Sequence, residues 1–417
     1  MAASRRIALL HYTAPPVVGG VESVIAHQAR CLGALGHAVR IIAARGAQTD
    51  PQVCFVPFPL ADSRHPQVLH VKAQLDRGQV TEAFEVLRRT IKEALAHALA
   101  DLDVVIAHNV GSLHKNLALT AALHDCFASD DAPARPRLIL WHHDLAWATP
   151  RYRAELHDGY PWDLLRTAWR NVRHVAISEL RRRELASLTG IAAATVSVIP
   201  NGLDLARFHK LEARTRVLAE RIRLTQADLI LLLPVRVTPR KNIELALEVL
   251  AELRRSFRRP ILIITGPLGP HNAKNADYFA LLKQRRAALA LEDNAYFLAE
   301  MYDHFLPDEV ITDLYRLADA LFLPSREEGF GLPMLEAAIS RLPIFCSDLA
   351  PLRDLGGDYA YYFSPDAAPG PLADAITERL RNDATFQHAS RTRRQFTWAH
   401  VCAEHIAPLI EAVCADG

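Results

Sequence analysis

The sequence predicts an α/β protein of two doubly wound domains that face each other across a cleft. With 417 residues, the chain is too long for one ordinary hydrophobic core, so two domains of about 200 residues each are expected. Short apolar runs alternate with longer amphipathic stretches along the chain, which is typical of parallel sheets connected by helices. The alternation stops at the turn residues Pro200, Asn201 and Gly202 and then restarts, which predicts a domain boundary there.

The first domain is predicted to span residues 1–203. Its apolar runs predict six buried strands: Ile7–Tyr12, Ala38–Ala44, Val104–His108, Leu138–His142, His174–Ile177 and Val196–Ile199. Amphipathic stretches at Val21–Leu35 and Val80–Ala100 predict helices between these strands. The proline-rich stretch around Cys54–Leu60 predicts an extended or hairpin-like excursion.

The second domain is predicted to span residues 204–385. Six further apolar runs predict its strands: Leu229–Arg236, Ile261–Thr265, Ala295–Leu298, Ala320–Leu323, Ile344–Cys346 and Tyr359–Phe363. Residues 386–417 are predicted to form a C-terminal helix that packs back on the first domain, with Trp398 as its anchor.

Composition excludes several classes of protein. Half of the residues are hydrophobic and 23% are charged, as in globular proteins. Lys and Arg number 48 against 47 Asp and Glu, so net charge provides no attraction to nucleic acid or to anionic lipid. We find neither a signal-like N-terminal run nor a membrane-length apolar run, which predicts a cytoplasmic protein. The six cysteines lack CxxC spacing, which favours reduced thiols over disulfides or a zinc site.

Two groups of polar residues follow strands of the first domain. Gly19 and Gly20 precede a predicted helix with Glu22 in its first turn, so their amides could approach an anion, although a lone glycine pair by itself favours a plain turn. His108-Asn109 and His142-His143-Asp144 end two strands, where ligands of open α/β sheets bind.

The strand-end histidines admit more than one interpretation. They could hydrogen-bond a ligand, bind a metal ion or serve a structural role. Because adjacent strand residues point to opposite faces, His142 and His143 are not expected to share one ion. Asp101 and Asp103 form an Asp-x-Asp sequence, but they precede their strand, so we interpret them as a solvated turn.

Two further motifs lie in the second domain. Arg236 and Lys241 follow its first strand and precede a helix, a position that suits a diphosphate. Glu328 and Glu336 flank a glycine-rich loop that follows the strand Ala320–Leu323 and leads into a helix. The reversal of the chain in that loop lets both carboxylates face the predicted cleft.

These motifs together resemble a known family. The segment Glu328–Glu336 is similar to the paired-glutamate motif of retaining glycosyltransferases of sequence family four (glycosyl transferases group 1). The early glycine pair, the strand-end His-Asp, Ser178-Glu179, residues 200–204 and the Arg-Lys pair fall in that family's order. The resemblance covers nearly the whole chain and implies the GT-B fold, with two Rossmann-like domains. It departs from the family at residues 266–275, where Pro267, Gly269, Pro270 and His271 lengthen the loop.

The resemblance also implies site residues. The predicted catalytic set is His143 near the reacting carbon, Arg236 and Lys241 on the leaving diphosphate, and Glu328 on the transferred sugar. The predicted donor-binding residues are Gly19, Gly20, Gly266, Glu300, Met301, Phe330, Gly331, Leu332 and Glu336, with Glu336 on the ribose and the edge Leu298–Met301 reading the base through its backbone. The predicted acceptor-binding residues are Glu22, His108, Asn109 and Asp144.

The function implied is transfer of a glucose or mannose from a UDP- or GDP-linked donor to a hydroxyl of a small molecule or glycan. We expect retention by a front-face mechanism, with no metal ion, no cofactor and no nucleic-acid partner. One alternative is a peripheral membrane enzyme with a lipid acceptor, since Arg181–Arg183 and the pairs Arg254-Arg255 and Arg258-Arg259 could touch headgroups. Another is an epimerase, hydrolase or sensor on the same frame.

Overall fold

The computed structural model describes residues 3–128, 136–267, 274–302 and 305–415. The chain divides into two compact units, which are residues 1–202 with 398–417, and residues 203–397. Each unit is an α/β domain with one parallel sheet, which confirms the predicted fold class. Within the part of the chain described, no helix combines the length and apolarity needed to cross a membrane.

Unit 1 contains a seven-stranded parallel sheet of order β3-β2-β1-β4-β5-β6-β7. The strands are β1 (Arg6–Leu10), β2 (Ala38–Ala43), β3 (Val53–Pro57), β4 (Val104–His108), β5 (Arg137–His142), β6 (Arg173–Ala176) and β7 (Val196–Val198). The helices are α1 (Gly20–Ala34), α2 (Pro66–Leu75), α3 (Glu82–Leu99), α4 (Leu117–Phe127) and α5 (Glu179–Thr189). All six predicted strands are present. The proline-rich stretch pairs in parallel with β2 as an edge strand and not as a hairpin.

Unit 2 contains a six-stranded parallel sheet of order β10-β9-β8-β11-β12-β13. The strands are β8 (Leu229–Leu233), β9 (Pro260–Ile264), β10 (Ala295–Phe297), β11 (Ala320–Leu323), β12 (Ile344–Ser347) and β13 (Tyr361–Phe363). The helices are α6 (Leu205–Phe208), α7 (Ala213–Arg221), α8 (Ile243–Leu253), α9 (Lys274–Ala288), α10 (Asp308–Leu317), α11 (Leu332–Ile339), α12 (Ala350–Gly356), α13 (Pro369–Arg381) and α14 (Ala384–Gln395).

The end of the chain differs from the prediction, because α14 belongs to unit 2 and the return to unit 1 begins only at Trp398. Phe386 packs edge-on against Phe257 in the core of unit 2. Arg393 donates two hydrogen bonds, of 3.0 and 2.6 Å, to the buried carboxylate of Asp319. This buried, bidentate ion pair anchors α14 to unit 2.

The last segment packs on unit 1 through α15 (Trp398–Val401), a π-helical turn (Cys402–Ile406) and α16 (Ala407–Ala415). Trp398 stacks on His27 of α1 at a ring distance of 5.2 Å. Cys31 and Cys402 form a disulfide with their Cα atoms 6.2 Å apart. The prediction that all cysteines are reduced is therefore wrong for this pair, which lies 371 residues apart in the sequence and shows no spacing signal.

The central strands of both sheets are buried on both faces. The polar residues of the candidate site therefore lie at the ends of the strands. Asp101 and Asp103 lie at the opposite, amino-terminal edge of the first sheet. Asp101 accepts two hydrogen bonds from Arg40, of 2.7 and 2.6 Å, and Asp103 accepts one from the backbone of Arg6, which confirms their structural role.

Candidate functional site

In unit 1 the candidate site is built at the carboxyl ends of β4 and β5. The register of these parallel strands brings His108 beside Trp141, so the residues that follow the two strands are neighbours. Nδ1 of His108 lies 3.0 Å from Nε2 of His143. His142 points to the other face, where its Nε2 lies 3.0 Å from Nδ1 of His174. The divergence of the two adjacent histidines follows from strand geometry, as predicted.

Asn109 holds the backbone that follows His142. It adopts a left-handed conformation, with φ 60°. Its Oδ1 accepts hydrogen bonds from the backbone amides of His143, at 2.8 Å, and of Asp144, at 3.2 Å. One side chain therefore fixes the chain direction at the strand end, and the position of the His143 ring with it.

The role of His108 and Asn109 as direct acceptor contacts stays a prediction, and the structure gives both residues a supporting role as well. Their exposed fractions are 0% and 2%, and both side chains contact the segment that carries His143. The structure places them behind His143 as supporting residues. Asp144 is partly exposed, and its carboxylate lies 3.9 Å from the guanidinium of Arg181.

The buried histidines of this site are neutral at physiological pH. Burial, with a smaller contribution from nearby His11, lowers the pKa of His143 to about 3. Burial likewise lowers the pKa of His108 well below its usual value. Burial lowers the pKa of His11 to about 4, against the opposing effect of its hydrogen bond to the carbonyl of His108, at 2.8 Å. These rings therefore act through hydrogen bonds and not as cations.

The glycine pair lies at the start of α1, as predicted. Gly19 is the N-cap residue, in extended conformation, and Gly20 is the first residue of the helix. A Cβ atom on Gly19 would collide with the carboxylate of Glu22, which accepts a hydrogen bond from the hydroxyl of Thr13. Val18, just before the pair, is almost fully exposed. The loop thus presents backbone amides at a helix N-terminus, beside a carboxylate that Thr13 holds in place.

In unit 2 the site is built on the neighbouring strands β8 and β11. Lys241, in the turn after β8, forms an ion pair with Glu328, in the loop after β11. The exposed fractions of these side chains are only 8% and 7%. The hydroxyl of Ser325 donates a 2.8 Å hydrogen bond to the same carboxylate oxygen, Oε1.

Burial lowers the pKa of Lys241, and the hydrogen bond and charge of Glu328 oppose that effect. The two loops are also joined through their backbones, since the amide of Arg326 donates to the carbonyl of Arg240 at 2.8 Å. An ammonium group and a carboxylate are thus held in a region of low dielectric constant, where each interacts strongly with further charge.

Arg236 and Gly266 occupy the ends of β8 and β9. Arg236 is exposed and its guanidinium lies 6.0 Å from the ring centre of Phe305. The amide of Gly266 donates to the carbonyl of Val235 at 3.0 Å. A Cβ atom on Gly266 would collide with the backbone of Val235, so only glycine permits this approach.

Gly269, Pro270 and His271, which we singled out as a departure from the family, lie outside the described residues.

The glycine loop after β11 leads into α11, with Pro333 in the first turn as predicted. Gly331 has φ 102°, a left-handed conformation that disfavours other residues. Phe330 and Leu332 on either side of it are exposed.

Glu336 accepts a 2.5 Å hydrogen bond from the hydroxyl of Tyr315, whose pKa is raised by burial and by that carboxylate.

The segment predicted to read the base is a short 3-10 turn after β10. The carboxylate of Glu300 accepts hydrogen bonds of 2.6 and 2.9 Å from the guanidinium of Arg286. Met301 packs partly buried against the core of unit 2. The Glu300 side chain is therefore held by the protein, which leaves the backbone of the turn as the group available to a ligand.

Four supporting residues were not predicted: His11, Thr13, Tyr315 and Ser325. Each contacts a predicted residue, and none belongs to a motif. Ser325 carried a weak signal, since it follows a buried strand three residues before Glu328. In the described residues, no three His, Cys, Asp or Glu side chains are grouped so as to hold a metal ion.

Two family models match the chain. Residues 18–207 match the model described as Glycosyltransferase Family 4, and residues 218–396 match the model described as Glycosyl transferases group 1. These two segments contain every site residue that the sequence predicts.

Curated relatives agree with this assignment. The chain is 28% identical over 280 residues to a mannosylglucosylglycerate synthase of Petrotoga mobilis, covering 61% of this chain and 63% of the relative. It is 27% identical over 424 residues to a glycogen synthase of Mycobacterium tuberculosis, covering 95% of this chain and 92% of the relative.

A third relative matches a shorter segment. It is a D-inositol 3-phosphate glycosyltransferase of Kineococcus radiotolerans, with 33% identity over 251 residues, which is 54% of each chain. The chain therefore belongs to the glycosyltransferases of family four, the group 1 glycosyl transferases.

Proposed function

We propose that this enzyme transfers glucose or mannose from a UDP- or GDP-linked sugar to a hydroxyl group, with retention of configuration and without a metal ion. The observation that carries the proposal is the buried ion pair of Lys241 and Glu328 at the ends of adjacent strands. The relatives support a hexose as the transferred group, since one is named a mannosylglucosylglycerate synthase and another a glycogen synthase.

The chemistry requires stabilisation of a leaving diphosphate. As the bond to the sugar breaks, positive charge develops on the sugar and negative charge grows on the phosphate oxygens. Lys241 and Arg236 would hold that negative charge, and the N-terminus of α11 would add its partial positive charge. Placed cations supply the stabilisation that a metal ion provides in other enzymes. Glu336 would bind the ribose hydroxyls, with its carboxylate oriented by Tyr315.

The arrangement around Glu328 favours front-face attack over a double displacement. One of its carboxylate oxygens already accepts from both Lys241 and Ser325, which reduces its strength as a nucleophile. The proposed role of Glu328 is to orient the sugar through its hydroxyls. The acceptor hydroxyl then transfers its proton to the leaving phosphate as the new bond forms on the same face.

The pairing of several surface arginines weakens the case for a lipid acceptor. On α5, Arg181 pairs with Glu184 and Arg182 pairs with Glu179, each at 2.5 Å. Arg254 and Arg259 donate to backbone carbonyls. Guanidinium groups that are already paired within the protein gain less from anionic headgroups.

A thermal-shift panel tests the donor and the absence of a metal. We would heat the protein with UDP, GDP or ADP and their common sugar conjugates, with and without EDTA. A rise in Tm with one nucleotide, unchanged by EDTA, is expected. Glu336→Gln should abolish the rise, whereas the control Glu327→Gln, in the exposed part of the same loop, should keep it. No rise with any nucleotide would contradict the proposal.

Retention is tested by the anomer that the enzyme releases. When the donor is an α-linked nucleotide sugar and water replaces the acceptor, proton NMR within the first minutes should show the α-sugar ahead of its mutarotated form. Initial release of the β-sugar would exclude the front-face mechanism.

A further inference from the structure

His108 occupies a position from which it can decide where the proton of His143 lies. Nδ1 of His108 and Nε2 of His143 are 3.0 Å apart, and both residues are buried. Since both rings are neutral, one of the two nitrogens carries the hydrogen and the other accepts it. Two arrangements satisfy the contact, and they give His143 opposite chemical properties.

The other nitrogen of His108 distinguishes the two arrangements. Its Nε2 is buried and has no hydrogen-bond partner among the described residues. If Nε2 carried the proton, a buried N–H would be left unpaired, whereas if Nδ1 carries it, only a lone pair is left. An unpaired buried N–H is the rarer and costlier case. His108 is therefore expected to carry its proton on Nδ1 and to donate it to Nε2 of His143.

The consequence falls on the second nitrogen of His143. A neutral imidazole that accepts at Nε2 must carry its proton on Nδ1. Within the described part of the chain, that Nδ1 makes no hydrogen bond, yet it is not among the fully buried side-chain atoms. It is the nitrogen left to meet a ligand, and in this form it donates a hydrogen bond and cannot accept a proton.

We propose that His108 is a positioning residue that fixes His143 in the Nδ1-protonated neutral form, so that His143 presents an N–H donor to an oxygen atom of the sugar donor. The proposal rests on the proposed function for the identity of that ligand. It assigns to His143 the role of a hydrogen-bond donor and not of a general base. The side chains of His11 and Asn109 hydrogen-bond to the backbone of His108 and His143, respectively, and so hold the two rings in place.

The proton position can be measured without any substrate. In full-length protein labelled with ¹⁵N-histidine, long-range proton–nitrogen correlation spectra separate protonated from unprotonated ring nitrogens near neutral pH. Loss of a signal in His143→Asn assigns that signal to His143. We expect His143 to show a protonated Nδ1 and an unprotonated Nε2. A protonated Nε2 in the wild-type protein would overturn the proposal.

Three variants test whether His108 determines which nitrogen of His143 carries the proton. His108→Phe keeps a ring but removes the donor, so the Nε2-protonated form of His143 should become the major one. His108→Asn places an amide N–H close to the position of Nδ1 and should restore the wild-type spectrum. His174→Asn alters the neighbouring pair with His142 on the same sheet and should leave the His143 spectrum unchanged. An unchanged His143 spectrum in His108→Phe refutes the role of His108, and if that variant does not fold, the spectra of wild type and His108→Asn still decide.

Turnover of the nucleotide sugar provides the second readout. Loss of one oriented hydrogen bond should lower kcat about three- to tenfold in His108→Phe, with recovery in His108→Asn. Unchanged kcat and unchanged KM for the donor in His108→Phe would contradict the role assigned to His143. If the wild-type enzyme turns over no nucleotide sugar, the proposed function fails, and the spectra still test the positioning role of His108.

Discussion

Acid should destabilise unit 1 in a pH range set by its buried histidines. Burial lowers the pKa of His143 to about 3 and the pKa values of His11 and His174 to about 4, against an ordinary value of 6.5. Below pH 6.5 the unfolded chain therefore binds protons that the folded unit does not. The free energy of unfolding must fall as the pH decreases from 6.5 towards these lowered values.

The magnitude follows from the three shifts. Between pH 7 and pH 4.5, each of the three histidines removes roughly 2 to 3 kcal/mol of stability, or about 7 kcal/mol together. Domains are stable by only about 5–15 kcal/mol, so unit 1 should begin to unfold near pH 4.5. The pKa of Glu155 is lowered by its hydrogen bond to Lys72, so protonation of such paired carboxylates reduces stability only below their ordinary pKa of 4.5. The histidines and the carboxylates therefore destabilise the unit in different pH ranges.

The assay uses the five tryptophans, at positions 141, 147, 162, 169 and 398, which all belong to unit 1. Their fluorescence during urea unfolding reports on unit 1 even where the two units unfold separately. The midpoint should decrease steadily from pH 6.5 downwards. His174→Asn should reduce the loss between pH 7 and 4.5 by roughly 2 to 3 kcal/mol. A midpoint that stays constant down to pH 5, or a variant with the wild-type slope, would refute the reasoning.

Three other predictions concern the ion pair, the ribose carboxylate and the disulfide. Lys241→Met should cost about 3–5 kcal/mol of unfolding free energy by circular dichroism because it leaves Glu328 charged and buried, and adding Glu328→Gln should recover at least half of that loss. Tyr315→Phe should weaken UDP or GDP binding about three- to tenfold by calorimetry, with no change if Glu336 does not contact the nucleotide. Thiol titration of the unfolded protein should find four free cysteines before reduction and six after it, and six before reduction would exclude the bond between Cys31 and Cys402.

The strands could be predicted because each is a short apolar run bounded by turn residues, and this pattern needs no information from the rest of the chain. The helix α2 was missed because Pro66–Leu75 has only a weak apolar face. The end of the second unit was misplaced by 12 residues because α14 is rich in charge and resembles a solvated helix, while its attachment depends on the distant Asp319.

In the candidate site, too, local features could be predicted from the sequence and contacts between distant residues could not. Strand ends and glycine loops identify where polar groups will lie, since the carboxyl ends of parallel strands meet at one edge. Which groups then bind each other is a property of the register between strands. His108 and His143 are 35 residues apart, and only the pairing of β4 with β5 brings their rings together. Sequence therefore predicts His108 only as a ligand contact, whereas the structure also shows that it supports His143.

The pairing of Lys241 with Glu328 changes how their roles can be separated. The sequence assigns Lys241 to the diphosphate and Glu328 to the sugar as independent contacts, but the structure joins the two side chains across 87 residues in a buried site. Substitution of either residue leaves the other as an unpaired buried charge. The measured loss of activity then combines two effects, which are the loss of the substituted residue's ligand contact and the displacement of its former partner. In the proposed function, a diphosphate that binds Lys241 would also release the carboxylate of Glu328 to meet the sugar, which would couple the two binding events. Only a double-mutant cycle on donor binding can divide the effect between them. Strong non-additivity is the result that this geometry requires.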